Sequence, residues 1–479
     1  AARRGGRPRS SPYDERVSWI EQLRAALGPE RVRTDAGDLR AVSRDGSPLR
    51  GAPACLAYPE EREHVEAALR IASEAGVPIV ARGGGTSLAA GTIPPAGALV
   101  LAFNRMARIR ELDVEERTAL VEPGLTNFAL DAAARRHGLR YAPDPSSRRV
   151  SMIGGNVATN AGGLHCLAHG VTTDHVRGLE IVLADGSVAW LDELDALDLR
   201  ALVVGSEGTL AVVTAALVSL LPLPEVTGMV VCGFPRLESA GAVAEAIVRA
   251  GLPASALEYI DETMLGVISA MSPDLLPSGV EAALIVEVET LAETLEDSLA
   301  TIEALVRDAE GDARRAVTAA EQTAIWEARR TSGGAVGLIH PDSYTHDFAV
   351  PRDRIVEALR GIARITQRFG VELVTVAHLG DGNIHPKLIY DGREPGAYER
   401  VLEASNAILE LVLACGGTLS GEHGIGLEKL GAMGRQFTPS ELDLLRAVRA
   451  AFDPQGVLNP DKAIPQAGDA ARRGVYAHA

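Results

Sequence analysis

The segment V-E-L-V-T-V-A-H-L-G-D-G-N-I-H-P-K-L-I, residues 371–389, sets two apolar, β-branched runs on either side of Asp381-Gly382. Asp-Gly between such runs is the strongest short-range signal for a β-hairpin. With those two residues as the turn, Gly380 is expected opposite Asn383, Leu379 opposite Ile384 and His378 opposite His385. Directly opposed residues share a face, with Cβ atoms about 5 Å apart. That spacing lets two imidazoles share one cation. A third ligand has a candidate in G-G-T-L-S-G-E-H-G-I-G, residues 416–426, where Glu422 and His423 sit among glycines. Taken alone, the pair reads more readily as surface histidines beside a polar loop than as a metal site. The rest of the chain decides between the two.

Around the hairpin, strands expected at residues 226–234, 282–288 and 344–350 alternate with long helices at 237–250, 291–309, 352–369 and 397–415. Such alternation predicts an α+β domain whose sheet is covered on one face. Before it, Pro222 and Pro224 mark a boundary. The first half predicts a helix at residues 59–75, buried strands at 77–81 and 98–103, and strands at 109–114 and 118–121. A helix at 126–137, a hairpin at 179–191 turned on Asp185-Gly186 and a strand at 211–220 complete it. The domain reading is a lead-in at 1–49, one domain at 50–225, a second at 226–466 and a tail at 467–479.

Composition bounds the function. A chain of 479 residues with 46% hydrophobic and 23% charged content is ordinary for a globular protein. Its formal charge of −17, from 47 basic and 64 acidic residues, argues against a nucleic-acid surface. Residues 1–12 are basic but lack an apolar core, so no secretory signal is expected. The apolar stretch 210–224 is short and ends in prolines, which reads as a buried strand and not a membrane span. The cysteines Cys55, Cys166, Cys232 and Cys415 show no C-x-x-C spacing. Neither a disulfide framework nor an iron–sulfur cluster is expected, and the compartment reads as reducing.

Four glycine-rich loops mark the first half. R-G-G-G-T-S comprises Arg82, Gly83, Gly84, Gly85, Thr86 and Ser87 and follows a strand directly. Backbone N–H groups freed of Cβ atoms can converge there on an anion such as a pyrophosphate. The spacing fits neither G-x-G-x-x-G nor G-x-x-x-x-G-K-[ST]. The other loops are P-D-P-S-S (143–147), S-M-I-G-G-N-V-A-T-N-A-G-G (151–163) and G-S-E-G-T-L (205–210). Four such loops expose too much backbone to stand empty, which implies a large polar ligand.

Together these loops resemble the FAD-binding domain of the PCMH-type, vanillyl-alcohol-oxidase flavoprotein superfamily. A-H-L-G-D-G-N-I-H, S-G-E-H-G-I-G and L-N-P-D-K resemble its D-2-hydroxyacid dehydrogenase branch, which includes D-lactate dehydrogenases, D-2-hydroxyglutarate dehydrogenase and the glycolate oxidase flavin subunit. The resemblance spans residues 40–465. It implies an α+β fold made of a PCMH-type FAD-binding domain and a C-terminal α+β cap of the FAD-linked oxidase type.

The resemblance assigns FAD to Arg82–Ser87, Pro143, Asp144, Ser147, Gly154, Gly155, Asn156, Ala158, Thr159, Asn160, Gly162, Gly163, Glu207, Val212 and Asn459. Because residues 82–91 hold no histidine or cysteine, the flavin is expected to be non-covalent, with His165 and Cys166 the nearest alternatives for a tether. It assigns a divalent ion (zinc, manganese or iron) to His378, His385 and Glu422, a general base to His423 and a substrate carboxylate to Arg329. Thr345 stands where hydroxyglutarate-type relatives carry a lysine. Lys387, two residues beyond His385 and so on the same strand face, is a candidate replacement cation. The implied activity is oxidation of a small D-2-hydroxy acid of the glycolate or D-lactate type, with hydride passing to the flavin. Electrons then go to an external acceptor: a quinone, a cytochrome or an iron–sulfur subunit. The alternatives are a flavin subunit idle without its iron–sulfur partner and an oxidase that uses O₂. A homodimer stays open. The expected location is cytoplasmic, with any attachment to the inner membrane made through a partner.

Overall fold

Strand Ile79–Arg82 runs directly into the first glycine loop, and the sheet around it fixes where that loop emerges. In the computed structural model, which describes residues 12–466, this sheet has the order Val32–Arg33, Cys55–Ala57, Leu99–Ala102, Ile79–Arg82. Its last three strands are parallel. Cys55–Ala57 and Leu99–Ala102 are buried throughout, as unbroken apolar strands in a parallel sheet should be. The terminal stretches without an apolar core (1–11) and beyond 466 lie outside the described residues. Helix Arg62–Glu74 packs Val65, Ala68, Leu69 and Ala72 inward, a period-3.6 stripe. A second sheet is antiparallel, in the order Ile109–Asp113, Thr118–Val121, Val212–Ser219, Val176–Val182, Val188–Asp192. Its hairpin turns on Asp185-Gly186 as expected, with Val182 opposite Val188. Helix Asn127–Arg135 starts at Thr126, whose hydroxyl accepts the Ala129 N–H.

Beyond Pro222 lies an antiparallel sheet of eight strands. Along its path run Asp312–Ala316, Val226–Phe234, Ala282–Thr290, Ala254–Asp261, Glu372–His378, Asn383–Tyr390 and Asp342–Thr345, and Phe348–Ala349 also pairs with Asn383–Tyr390. Helices Leu237–Arg249, Ala292–Asp308, Ile355–Phe369 and Ala397–Ala414 bury one face. The other face is covered too. Ile268 of helix Glu262–Met271 and Ile325 and Trp326 of helix Ala319–Ala335 join Val231, Ile285 and Ile389 in a separate core. The expectation of a sheet covered on one face is corrected accordingly. Strand Ala254–Asp261 escaped the sequence reading because both its faces are buried, so it lacks the polar alternation that marks a half-exposed strand.

The hairpin exists, with a different register. His378 lies opposite Asn383, and His385 lies opposite Val376. The turn is a four-residue loop, residues 379–382, and not Asp381-Gly382 alone. Asp381 bends its carboxylate back to accept the Asn383 N–H at 3.0 Å, while Gly382 takes φ +91°. A shift by one residue would have turned a histidine to the opposite face; this shift is even, so both stay together. The two rings meet diagonally, with centroids 5.0 Å apart. The strand expected at 344–350 is likewise two short pieces, broken at His346-Asp347, and both of these side chains are fully buried.

Candidate active site

One cavity, of about 380 Å³ and partly open to solvent, lies between the glycine loops and the large sheet. That volume lies within the roughly 300–1,000 Å³ usual for small-molecule and cofactor sites. All of residues 82–87 border it, with Ser147, Gly154, Gly155, Asn156, Ala158, Thr159, Glu207 and Val212. So do Arg329, Lys387, His378, His385, Glu422 and His423 from the other half. Pro143, Asp144, Asn160, Gly162, Gly163 and Asn459 are not among its lining residues, and several of them have structural tasks near it. The Pro143 carbonyl accepts from Asn127, and Asn160 caps helix Ile153–Thr159 at φ +50°. Asn459 donates to the carbonyl oxygens of Gly91 and Glu207 at 2.9 and 2.7 Å.

The wall built from the glycine loops fits a large polar guest. The Asn156 side chain is 1% exposed, yet neither its amide nitrogen nor its oxygen has a partner, and the Ser151 hydroxyl is also unpaired. A Cβ added at Gly155 would meet nothing within 4 Å, so that backbone faces open space. Buried polar groups are ordinarily satisfied, and these are placed for hydrogen bonds from a ligand. His165 and Cys166 do not border the cavity. His165 gives Nδ1 to Asp144 (2.9 Å) and Nε2 to Glu287 (2.8 Å). Burial alone would depress its pKa, but those two carboxylates lift it to about 10.

On the opposite wall, the ligand atoms of His378, His385 and Glu422 lie within 4.8 Å of one another. Glu422 Oε1 is 3.7 Å from His378 Nε2 and 3.3 Å from His385 Nε2. Two imidazoles and a carboxylate converging in a largely buried site are a fitting donor set for a divalent ion. Burial works against ionisation of Glu422, yet the two histidines hold its carboxyl well below the usual range. Behind His378 stands Glu258, a residue that the sequence reading missed. It sits opposite His378 in the neighbouring strand, is fully buried, and hydrogen-bonds Nδ1. That contact assigns the Nδ1 proton and leaves Nε2 free to ligate. The other Glu258 oxygen pairs with the Arg329 guanidinium at 2.7 Å. Arg329 is therefore no solvated helix residue; it is 5% exposed, and its Nε has no partner. An acid in the apolar run A-S-A-L-E-Y-I was the one signal in the sequence.

Glu422 and His423 ride on a loop whose backbone is fixed by Asp347. Its carboxylate accepts the N–H groups of Gly421, Glu422 and His423 at 2.9 to 3.1 Å, and Lys429 supplies a counter-charge at 3.4 Å. His423 stacks on His385, with centroids 5.1 Å apart. Burial depresses its pKa to about 4, against the pull of Asp347, so at neutral pH it is an uncharged proton acceptor. Lys387 donates to the Gly333 carbonyl at 2.7 Å, a neutral partner, and burial together with nearby Arg329 brings its pKa down to about 8. Thr345 lies opposite Lys387 in the sheet and also borders the cavity.

Residues 53–192 match the model of an FAD binding domain, and residues 223–463 match that of the C-terminal domain of FAD linked oxidases. The chain belongs to the FAD-linked oxidase family. It is an FAD-binding oxidoreductase with the α+β architecture that the resemblance implied. Glycolate oxidase subunit GlcD of Escherichia coli (strain K12) is 38% identical, the alignment covering 95% of this chain and 92% of that protein. D-lactate dehydrogenase of Archaeoglobus fulgidus is 34% identical, covering 85% and 90%. In fold, the chain is similar to p-cresol methylhydroxylase with substrate bound, at a TM-score of 0.80 and 16% identity over 94% of this chain and 97% of that one. All four cysteines of this oxidoreductase are free thiols. Among the described residues, no helix is long and apolar enough to cross a membrane.

Proposed function

We propose that this chain oxidises a small D-2-hydroxy acid of the glycolate or D-lactate type to its 2-oxo acid. The observation that carries this reading is a single cavity bordered by the flavin loops on one side and by His378, His385, Glu422, His423, Arg329 and Lys387 on the other. The relatives named for glycolate and D-lactate support the substrate class.

Held non-covalently along residues 82–87 and 154–159, FAD supplies the acceptor for the hydride that leaves C2. A divalent ion held by His378, His385 and Glu422 supplies Lewis acidity toward the substrate hydroxyl. His423 takes the hydroxyl proton at Nε2; being uncharged at neutral pH, it needs no prior deprotonation. Arg329, which borders the cavity, offers its guanidinium to the substrate carboxylate, while Glu258 keeps it from swinging away. Lys387 adds a second cation close to that carboxylate or to a distal anion. The same reading sets the flavin domain at residues 50–225 and the cap at 226–466, meeting at the prolines near 222.

Electrons leave to an external carrier, because no cysteine set here builds a cluster. The word subunit in the name of a 38% identical relative favours one second reading, in which turnover needs a partner chain. Anaerobic mixing with glycolate or D-lactate, then admission of air, tests both. Bleaching of the flavin band without rapid reoxidation supports the dehydrogenase, and rapid reoxidation indicates an O₂-using oxidase. A flavin that none of these acids bleaches supports the partner-dependent subunit and refutes autonomous oxidation.

A further inference from the structure

The acid in G-S-E-G-T-L, assigned to flavin by resemblance, turns its carboxylate toward the other half of the molecule. Glu207 accepts the N–H of Ile425 on Oε1 and the N–H of Gly426 on Oε2, both at 2.7 Å. Those amides lie two and three residues past His423. With them, every backbone N–H from residue 421 to 429 has a partner. Gly421, Glu422 and His423 donate to Asp347, and Gly424 donates to the Ser420 hydroxyl. Leu427 and Glu428 donate to the Ala89 carbonyl, and Lys429 donates to that of Ile425. The loop that carries His423 is thus held by a carboxylate of the cap on one side and by a carboxylate of the flavin half on the other.

Glu207 is itself fixed on the flavin side. It is 8% exposed and adopts φ +54°. Its N–H donates to Ala158 in helix Ile153–Thr159, and its carbonyl accepts from Asn459. Gly424, at φ +85°, leaves room for the contact: a Cβ there would stand 2.8 Å from Glu207 Oε1. Each carboxylate oxygen therefore accepts one N–H of the cap loop, which ties that loop to the flavin half at two points.

We propose that Glu207 is a positioning residue, which sets His423 at the correct distance from the flavin by anchoring the cap loop to a loop that borders the flavin cavity. This rests on the role of His423 proposed above. A displacement of about 1 Å far from the chemistry can cost 100-fold in rate. Glu207→Gln keeps the shape but presents an amide N–H to one of the two donors.

The test uses Glu207→Gln and Glu207→Asp holoenzymes in anaerobic stopped flow, with whichever of glycolate, D-lactate and D-2-hydroxyglutarate reduces the wild type. FAD content, metal content and the flavin spectral change on adding oxalate are measured in parallel. The expected result is a limiting flavin-reduction rate lowered roughly 10–100-fold. Half-saturation, FAD, metal and the oxalate response should stay near wild type. Where Glu207→Gln does not accumulate as a flavoprotein, Glu207→Asp decides by the same criteria, since it keeps the charge but withdraws it by one methylene. Wild-type reduction rates in these variants overturn the proposal. FAD loss with an unchanged rate per bound flavin also overturns it, and makes Glu207 a flavin ligand. A wild type that none of the three acids reduces defeats the function proposed above, and this inference with it.

Discussion

Replacing Glu258 with glutamine should separate two tasks that one buried carboxylate performs. In the native chain one oxygen receives the His378 Nδ1 proton and the other faces Arg329 at 2.7 Å. Glutamine is isosteric, and its Oε1 can still accept from His378, so the tautomer that frees Nε2 survives. Losing the charge behind a ligating histidine typically costs 10–100-fold in metal affinity. With the amide still in place, the lower end is expected, about tenfold, or about 1.4 kcal/mol. The larger effect falls on Arg329, whose guanidinium would meet an amide NH₂ while remaining 5% exposed. Stranding one partner of a buried ion pair costs roughly 3–5 kcal/mol. Because Arg329 borders a cavity that solvent can enter, about 3 kcal/mol is the appropriate figure. A double variant, Glu258→Gln with Arg329→Met, removes the stranded charge, so it should regain most of the stability and none of the metal affinity. Urea midpoints report the first quantity, and competition with a chelator, read as metal content, reports the second. The reasoning fails if Glu258→Gln matches wild type in both, or if the double variant is no more stable than the single one.

His378→Ala, His385→Ala and Glu422→Ala should each lose bound metal together with activity. His423→Ala should keep metal and FAD but reduce its flavin about 10²–10⁴-fold more slowly; metal analysis beside stopped flow separates the two classes. Lys387→Ala should raise KM for a dicarboxylic hydroxy acid while leaving lactate or glycolate little changed, and equal effects on both would mean that Lys387 reads no distal anion. His165 has a folded pKa of about 10, above its ordinary 6.5, so its contribution to stability is complete below pH 6.5 and lost as pH rises toward 10. The wild-type Tm should therefore fall between pH 7 and 10 more steeply than that of His165→Gln, and parallel slopes would refute the assignment.

The halves of this molecule differed in how openly they could be read. Glycine loops and the flanking strands stood out because exposed backbone must be written in glycine, serine and threonine. Val226–Phe234 and Thr118–Val121 were legible from β-branched runs with clear ends. The hairpin register was not, because the Asp381 side chain competes with the backbone for the Asn383 N–H and widens the turn. His378 and His385 were nevertheless found together, since an even slip preserves the face. Glu258 and helix Ala319–Ala335 were hidden for a different reason. Their polar side chains point inward, at a site built from strands distant in sequence, where local periodicity carries no information. Asp347 lay in plain view, yet its three backbone donors come from a loop that only the tertiary fold brings to it.

Near its end the chain returns to where it started. Leu458 forms a parallel bridge with Ile79, whose N–H and carbonyl are taken by Val457 and Asn459. The first sheet therefore gains an edge partner from a segment that emerges from the ribosome only after the whole large sheet. During synthesis, the flavin half has to wait for the C-terminal segment before that edge is satisfied, and the entropy of closing so long a loop is offset only then. Cutting the chain at the prolines near 222 would not yield a self-sufficient flavin module. Shortening it before residue 457 would leave the large sheet intact and injure the opposite half, the one made first.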